Sequence, residues 1–274
     1  MIFYKTVSAG NDFLHVDMEE FNARFNDGRM SRGHLAELLC SRWTGAGADG
    51  IIFYTVGTHA VDFAIFNRDG SEAELSGNGM AGLSALLFLL DKAQDRVTLN
   101  TRAGEKTHLL LARENNTFTL KIEIGEPDFR SRDFFPFLEE NKASYSHGGV
   151  NFQPVSVGNP HIVILMEKEL PDDTLMQMGA ELENAGIFPR NTNVEFVFFK
   201  DKDNCRVFYY ERGVGHTISS STGSAAVFAV LQKSGKIHDR LTIDTAEGKV
   251  KIYGKKTIYI ESCSKIVYKG IYMG

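Results

Sequence analysis

The feature that most constrains this chain is a copy of part of itself. Residues 76–104 lie over residues 220–248 at a constant offset of 144, without gaps and with 11 identities in 29 positions. The matches include Ser76/Ser220, Gly79/Gly223, Ala85/Ala229, Arg96/Arg240, Thr98/Thr242, Thr101/Thr245 and Gly104/Gly248. Upstream, Val7-Ser8-Ala9-Gly10-Asn11 lies over Val155-Ser156-Val157-Gly158-Asn159 at an offset of 148. A repeat that holds register this long sets the architecture: two domains of about 130 residues built on one plan.

The 274 residues have room for both, and 43 % hydrophobic with 24 % charged residues is an ordinary globular balance. Lys and Arg number 30 against 35 Asp and Glu, with no basic block, so the electrostatic footprint of a nucleic-acid binder is missing and a small molecule is the expected partner. The longest apolar run, Met80 to Leu90, is shorter than the roughly 20 residues a membrane helix needs, and no membrane partner is expected. Cys40, Cys205 and Cys263 make no CxxC pair and are odd in number, so neither a disulfide framework nor a metal site is expected. Each reads as a small buried hydrophobe. The N-terminal Met1–Lys5 run reads as strand rather than leader, and a reducing cytoplasm is the expected location.

Period and punctuation place strands at 2–7, 12–17, 50–56, 61–67, 96–101, 107–112 and 117–124. Between them, a helix running from Gly77-Asn78-Gly79 to about Leu90 is almost wholly small and apolar, which predicts burial on all sides. Its copy runs from Ser221 toward Lys233 and stops at Gly235. Shorter helices are expected at about 31–41 and 173–185. Residues 126–149, with two prolines and many charges, read as a crossover linker, and strand-like Lys265–Tyr272 lies outside the second repeat, placed to return to the first domain. The expected fold class is α+β: two pseudo-twofold domains, 1–125 plus 264–274 and 126–263, each an antiparallel sheet or barrel around a central buried helix.

In both repeats a strand enters a polar turn, then Ser and small residues, then the apolar helix. The segments are Phe66–Gly70 ahead of Ser76-Gly77-Asn78-Gly79, and Tyr210–Gly213 ahead of Ser220-Ser221-Thr222-Gly223. A helix start offers unpaired N–H groups and partial positive charge to a carboxylate or phosphate. The competing reading is that Ser76 and Ser220 are simply N-caps, a role serine fills well. His161, two residues after Asn159, has an intrinsic pKa suited to proton transfer. Glu211 and Arg212 leave a strand toward the second turn and suit the ammonium and carboxylate of an amino acid.

Gly10–Phe13, Gly45–Gly50, Asn67–Gly79, Gly158–His161, Asn191–Asn193 and Tyr210–Gly223 together resemble the diaminopimelate epimerase family, in its order and over nearly the whole chain. The resemblance implies a pyridoxal-independent isomerase of amino-acid (lysine) biosynthesis, with no cofactor or metal and one active site in an interdomain cleft. There, two cysteines exchange a proton on opposite faces of the α-carbon. It implies that Asn67, Asn159, Asn193 and Arg212 hold the distal end of an amino-acid substrate. Asn11, Gly77, Asn78, Ser221 and Thr222 would hold the reacting end, with His161 and Glu211 assisting. A homodimer is an assembly to test for.

The departure lies in the reacting groups: Ser76 and Ser220 stand where the family has cysteine. Ser221 replaces a glycine, His216 a glutamate and Ala81 an arginine. A serine hydroxyl is far less acidic than a thiol and needs a base to activate it, for which His161, Glu211 and His216 are the candidates. Three readings stay open: an amino-acid epimerase using Ser76 and Ser220, a lyase or dehydratase of the same fold, and a binding protein without turnover.

Overall fold

The computed structural model describes residues 1–26, 28–73, 75–101, 104–245 and 248–274. The chain divides into two compact units, Met1–Ile122 with Glu261–Gly274, and Glu123–Ile260. In chain order the elements are β1 (Ile2–Ser8), β2 (Asn11–Asp17), α1 (Met18–Arg24), α2 (Arg32–Cys40), β3 (Gly50–Val56), β4 (Val61–Asn67), β5 (Glu72–Ala73), α3 (Gly77–Leu89), β6 (Arg96–Thr101), β7 (Gly104–Glu114) and β8 (Thr117–Gly125). They continue with β9 (Tyr145–His147), β10 (Val150–Ser156), β11 (Pro160–Leu165), α4 (Asp172–Glu183), β12 (Asn193–Phe199), β13 (Asn204–Glu211), β14 (Gly215–Thr217), α5 (Ser221–Lys233), β15 (Arg240–Thr245), β16 (Gly248–Tyr253) and β17 (Ile258–Ile271).

Most ladders are antiparallel, and each unit adds parallel pairs at matching places. In the first unit these are β2 with β3 and β4 with β6; in the second, β11 with β12 and β13 with β15. Each parallel pair is separated in sequence by one or two helices, the long crossover that parallel neighbours require. The chain end returns to the first unit, where β17 runs antiparallel to β1, pairing Ile2 with Ile271 and Ser8 with Ser264.

Helix α3 packs on β1, β2, β6 and β7, and α5 on β10, β11, β12, β15 and β16. Gly77 to Phe88 and Ser221 to Leu231 are buried throughout, as their apolar composition predicts. The opposite face of the first sheet is covered by α1 and α2, through Phe21, Leu35, Leu39 and Phe53, and that of the second by α4, through Leu175, Leu182, Phe196 and Phe208. Strands β3 and β12 are therefore covered on both sides and read as mainly apolar runs rather than alternating ones, with Glu195 the charged exception in β12.

Two expectations need correction. Residues 126–149 are more than a linker: Phe135 is fully buried, and the Phe137 ring meets Tyr145, Phe152 and Phe188, so the segment supplies part of the second core. Cys40 and Cys205 are buried, but Cys263 is exposed, because alternate residues of β17 face outward and it falls on that side. Among the described residues no helix is long and apolar enough to cross a membrane.

Candidate functional site

Ser76 and Ser220 are N-caps: Gly79 N donates to Ser76 Oγ at 3.1 Å, and Gly223 N to Ser220 Oγ at 3.2 Å. The two glycines are fixed by close approach. A Cβ on Gly79 would lie 2.9 Å from Ile52 Cδ1, and one on Gly223 would lie 2.7 Å from Glu195 Oε1. Each helix start is thus pressed onto the central strand beneath it. Gly77 with Asn78 and Ser221 with Thr222 form the first two helical positions, where N–H groups have no intrahelical partner.

The Gly-Asn turns meet these helix starts in the same way in each unit. Gly10 and Gly158 take positive φ, 86° and 103°, at the tips of the β1–β2 and β10–β11 hairpins, and the following asparagines turn toward the helix. In the first unit Asn78 Nδ2 donates to Asn11 Oδ1 at 2.7 Å; in the second Asn159 Nδ2 donates to Thr222 Oγ1 at 3.4 Å. The repeat signal in sequence therefore corresponds to a repeated polar contact.

What holds each asparagine differs. Asn11 donates to Asp49 at 3.2 Å, within an ionic frame in which Arg42 bridges Asp12 (2.8 and 3.0 Å) and Asp49 (2.7 Å) and Lys5 meets Asp12 at 2.8 Å. Burial pushes the Asp12 carboxyl up, but hydrogen bonds and charge from Arg42 and Lys5 outweigh it and hold the pKa below its usual value. Asn159 instead accepts from His161 Nε2 at 2.9 Å, and His161 Nδ1 lies 2.7 Å from Glu195 Oε1, with His161 and Glu195 both fully buried. Burial raises the Glu195 pKa against the opposing pull of His161, and Glu195 Oε2 has no hydrogen-bond partner. Both ring nitrogens of His161 are engaged, so it acts on Asn159 rather than reaching a serine.

Glu211 reaches a serine directly. Ser220 Oγ donates to Glu211 Oε2 at 3.2 Å and Thr217 Oγ1 donates to Glu211 Oε1 at 2.6 Å. The residue keeps some surface, yet burial of its carboxyl pushes the pKa up, partly countered by these two hydroxyl donors. His216 does not join them. It pairs across from Tyr210 and stacks on Phe208, ring centroids 4.1 Å apart. Tyr209 and Glu211 point the other way, toward α5, as the bonds to Ser224 and Ser220 show. Strand alternation puts His216 on the wrong face of the sheet to activate Ser220.

The four residues expected at the distal end are more dispersed in role. Asn193 is buried, donating to Pro160 O at 2.7 Å and accepting from Arg212 N at 3.0 Å, so it braces the Arg212 backbone. Arg212 Nη1 donates to Arg190 O at 3.0 Å. Asn67 donates to Ser71 Oγ at 3.0 Å across its turn. The sequence reading missed Arg42, Asp12, Asp49 and Glu195 as the groups that hold Asn11 and Asn159. The signals were a solitary Glu inside the apolar run Asn193–Phe199 and acids flanking a glycine-rich loop. Among the described residues no three His, Cys, Asp or Glu side chains cluster to hold a metal.

Comparison with known proteins gives three concordant findings. The sequence profile described as diaminopimelate epimerase matches residues 3–129 and 154–261. Diaminopimelate epimerases of Methanococcus aeolicus and Prochlorococcus marinus are 27 % and 31 % identical to the chain, covering 98 % and 91 % of it and 97 % and 90 % of their own lengths. A crystal structure of a probable proline racemase from Agrobacterium radiobacter superposes with a TM-score of 0.67 at 13 % identity, over 100 % of this chain and 93 % of that one, which speaks for the fold alone.

Proposed function

Because the chain belongs to the diaminopimelate epimerase family, we propose that it is a cofactor-independent isomerase of lysine biosynthesis that moves a proton at the α-carbon of a bifunctional, diaminopimelate-like amino acid. The observation that carries this reading is the contact of Ser220 Oγ with the Glu211 carboxylate at the start of α5, 3.2 Å long. It supplies what a hydroxyl lacks when it replaces a thiol, a base within hydrogen-bond reach. The starts of α3 and α5 at Gly77, Asn78, Ser221 and Thr222 carry the positive ends of the helix dipoles, which favours a carboxylate at the reacting end, and Asn11 and Asn159 add amide groups beside them. Arg212, whose backbone is braced by Asn193, offers a cation for the second carboxylate. Asn67 and Asn159 complete the polar set of this reading.

Titration calorimetry with meso-diaminopimelate tests it. The unaltered protein should bind saturably, and Arg212→Ala should lose roughly ten- to a hundredfold in affinity, the worth of one charged hydrogen-bonding partner. An unchanged affinity in that variant removes the distal carboxylate from the reading. A binding protein without turnover is the second reading, favoured by one observation: among the described residues the only partner of the Ser76 hydroxyl is the N–H it caps.

A further inference from the structure

The turn that carries Arg212 is held from beneath by a buried carboxylate, Glu183. Val214 N donates to Glu211 O at 3.0 Å and closes a four-residue turn, whose third residue, Gly213, takes a φ of 74° that favours glycine. The two central N–H groups take no part in the turn's own hydrogen bond. Arg212 N donates instead to Asn193 Oδ1 at 3.0 Å, and Gly213 N to Glu183 Oε1 at 2.7 Å. Asn193 is itself fixed, because its Nδ2 donates to Pro160 O at 2.7 Å.

Glu183 stands in an unfavourable place for its charge. It is the last residue of α4, at the negative end of the helix dipole, and only 7 % of it is exposed. Its closeness to the turn is built in one helical turn earlier. A Cβ on Gly179 would lie 2.5 Å from Tyr210 Cγ, so this glycine lets α4 press against the strand that enters the turn. Gly179 and Glu183 are four residues apart and share that face of the helix. What the carboxylate gains there is a charge-assisted hydrogen bond from Gly213 N, while Asn184 Nδ2 lies 3.5 Å from its other oxygen.

We infer that Glu183 is a positioning residue for the distal end of the substrate: with Asn193 it pins the Arg212–Gly213 peptide and so presets the Arg212 guanidinium for a carboxylate. The inference rests on the distal-end role proposed for Arg212 above. The guanidinium is steadied at its far end as well, through the bond from Nη1 to Arg190 O at 3.0 Å. A long side chain on a loose turn must be ordered when the ligand arrives, which costs affinity, whereas a preset one was ordered when the chain folded. Glu183 acts through the backbone and touches no ligand itself.

Titration calorimetry with meso-diaminopimelate tests the inference on single and double variants. Glu183→Leu removes the acceptor and should weaken binding about three- to tenfold, the worth of ordering one long side chain. Glu183→Gln keeps an oxygen for Gly213 N and should bind within about twofold of the unaltered protein. Added to Arg212→Ala, Glu183→Leu should weaken binding no further, because the side chain it presets is gone. If Glu183→Leu fails to fold, Glu183→Asp, which keeps the charge but withdraws the oxygen by one methylene, takes its place with the same expectation. Unchanged affinity in Glu183→Leu, an equal loss in Glu183→Gln, or a full further loss on top of Arg212→Ala overturns the inference and leaves the proposed function standing. Absence of saturable binding by the unaltered protein, or an Arg212→Ala variant that binds as well as it does, overturns the distal-end reading and this inference with it.

Discussion

The two units follow one plan, yet the histidines and carboxyls they bury differ: Asp12 and His161 aside, histidines in the first and carboxyls in the second. The first encloses two histidines, His15 and His108, each meeting one hydroxyl (Thr6 at 2.8 Å, Ser84 at 2.8 Å) and leaving its other ring nitrogen without a partner. Burial lowers the pKa of both to about 3. The second encloses two carboxyls, Glu195 and Glu211, whose pKa values burial raises. A duplicated scaffold has kept its strand order and helix starts while the acid–base groups packed inside diverged. Shape is set by the apolar helices and the sheets, whereas chemistry is set by a few positions the scaffold leaves free.

The largest expected effect of this contrast is on acid stability. A histidine kept neutral by the fold stabilises fully above its unfolded pKa of about 6.5 and loses that contribution as pH falls toward about 3. Each contributes a slope of about 1.4 kcal/mol per pH unit, so both together cost about 5 kcal/mol by pH 4.5. The raised carboxyls run the other way: their burial costs stability as pH rises above the usual Glu range, and acidification relieves it. Hydrogen exchange followed by mass spectrometry across pH 7 to 4.5 should show the first unit losing protection before the second. The reverse order would break the comparison.

Next in size is Glu195→Ala, which strips the buried His161 of its partner and should cost about 3–5 kcal/mol in urea unfolding. Position 195 corresponds in the first unit to the apolar Ile52, which lies under Gly79 as Glu195 lies under Gly223. A small cost would mean that the second unit tolerates the apolar solution already used by the first. Arg42→Met should cost less, about 1–2 kcal/mol, because Arg42 is 45 % exposed although it leaves the carboxylate of the mostly buried Asp12 with Lys5 alone. Smallest are the caps: Ser76→Ala and Ser220→Ala should each cost about 1 kcal/mol, with Ser220 the dearer because Glu211 also loses a donor. Equal costs would weaken the claim that the Ser220–Glu211 contact is more than capping.

Much of this was legible in the sequence for a simple reason: a gapless repeat carries both copies of a structure at once. The apolar stretch from Met80 to Leu90 reads as a helix buried on all sides, and the paired Gly-Asn and Ser segments marked the residues, though not the pairing, of the Asn11–Asn78 and Asn159–Thr222 contacts. What stayed hidden needs register or packing. Whether His216 or Glu211 faces α5 depends on strand parity, which one slipped residue reverses. Glu195 is invisible as a partner because its strand pairs with the strand of His161 from 34 residues away. The Phe residues of 134–137 were masked by the charges and prolines around them. His15 and His108 look like polar positions of half-exposed strands, and only helix α3 laid over the sheet makes them interior.

The return of β17 to β1 bears on how the chain is made. The first unit comprises Met1–Ile122 and Glu261–Gly274, whereas the second is one continuous stretch, Glu123–Ile260. During synthesis the second unit therefore has all of its residues while β1 still lacks a neighbour along one edge. The unit begun earlier is the later to close. Until then that edge offers unpaired N–H and C=O groups to any passing strand, which makes the final residues a seal against misassembly in the nascent protein.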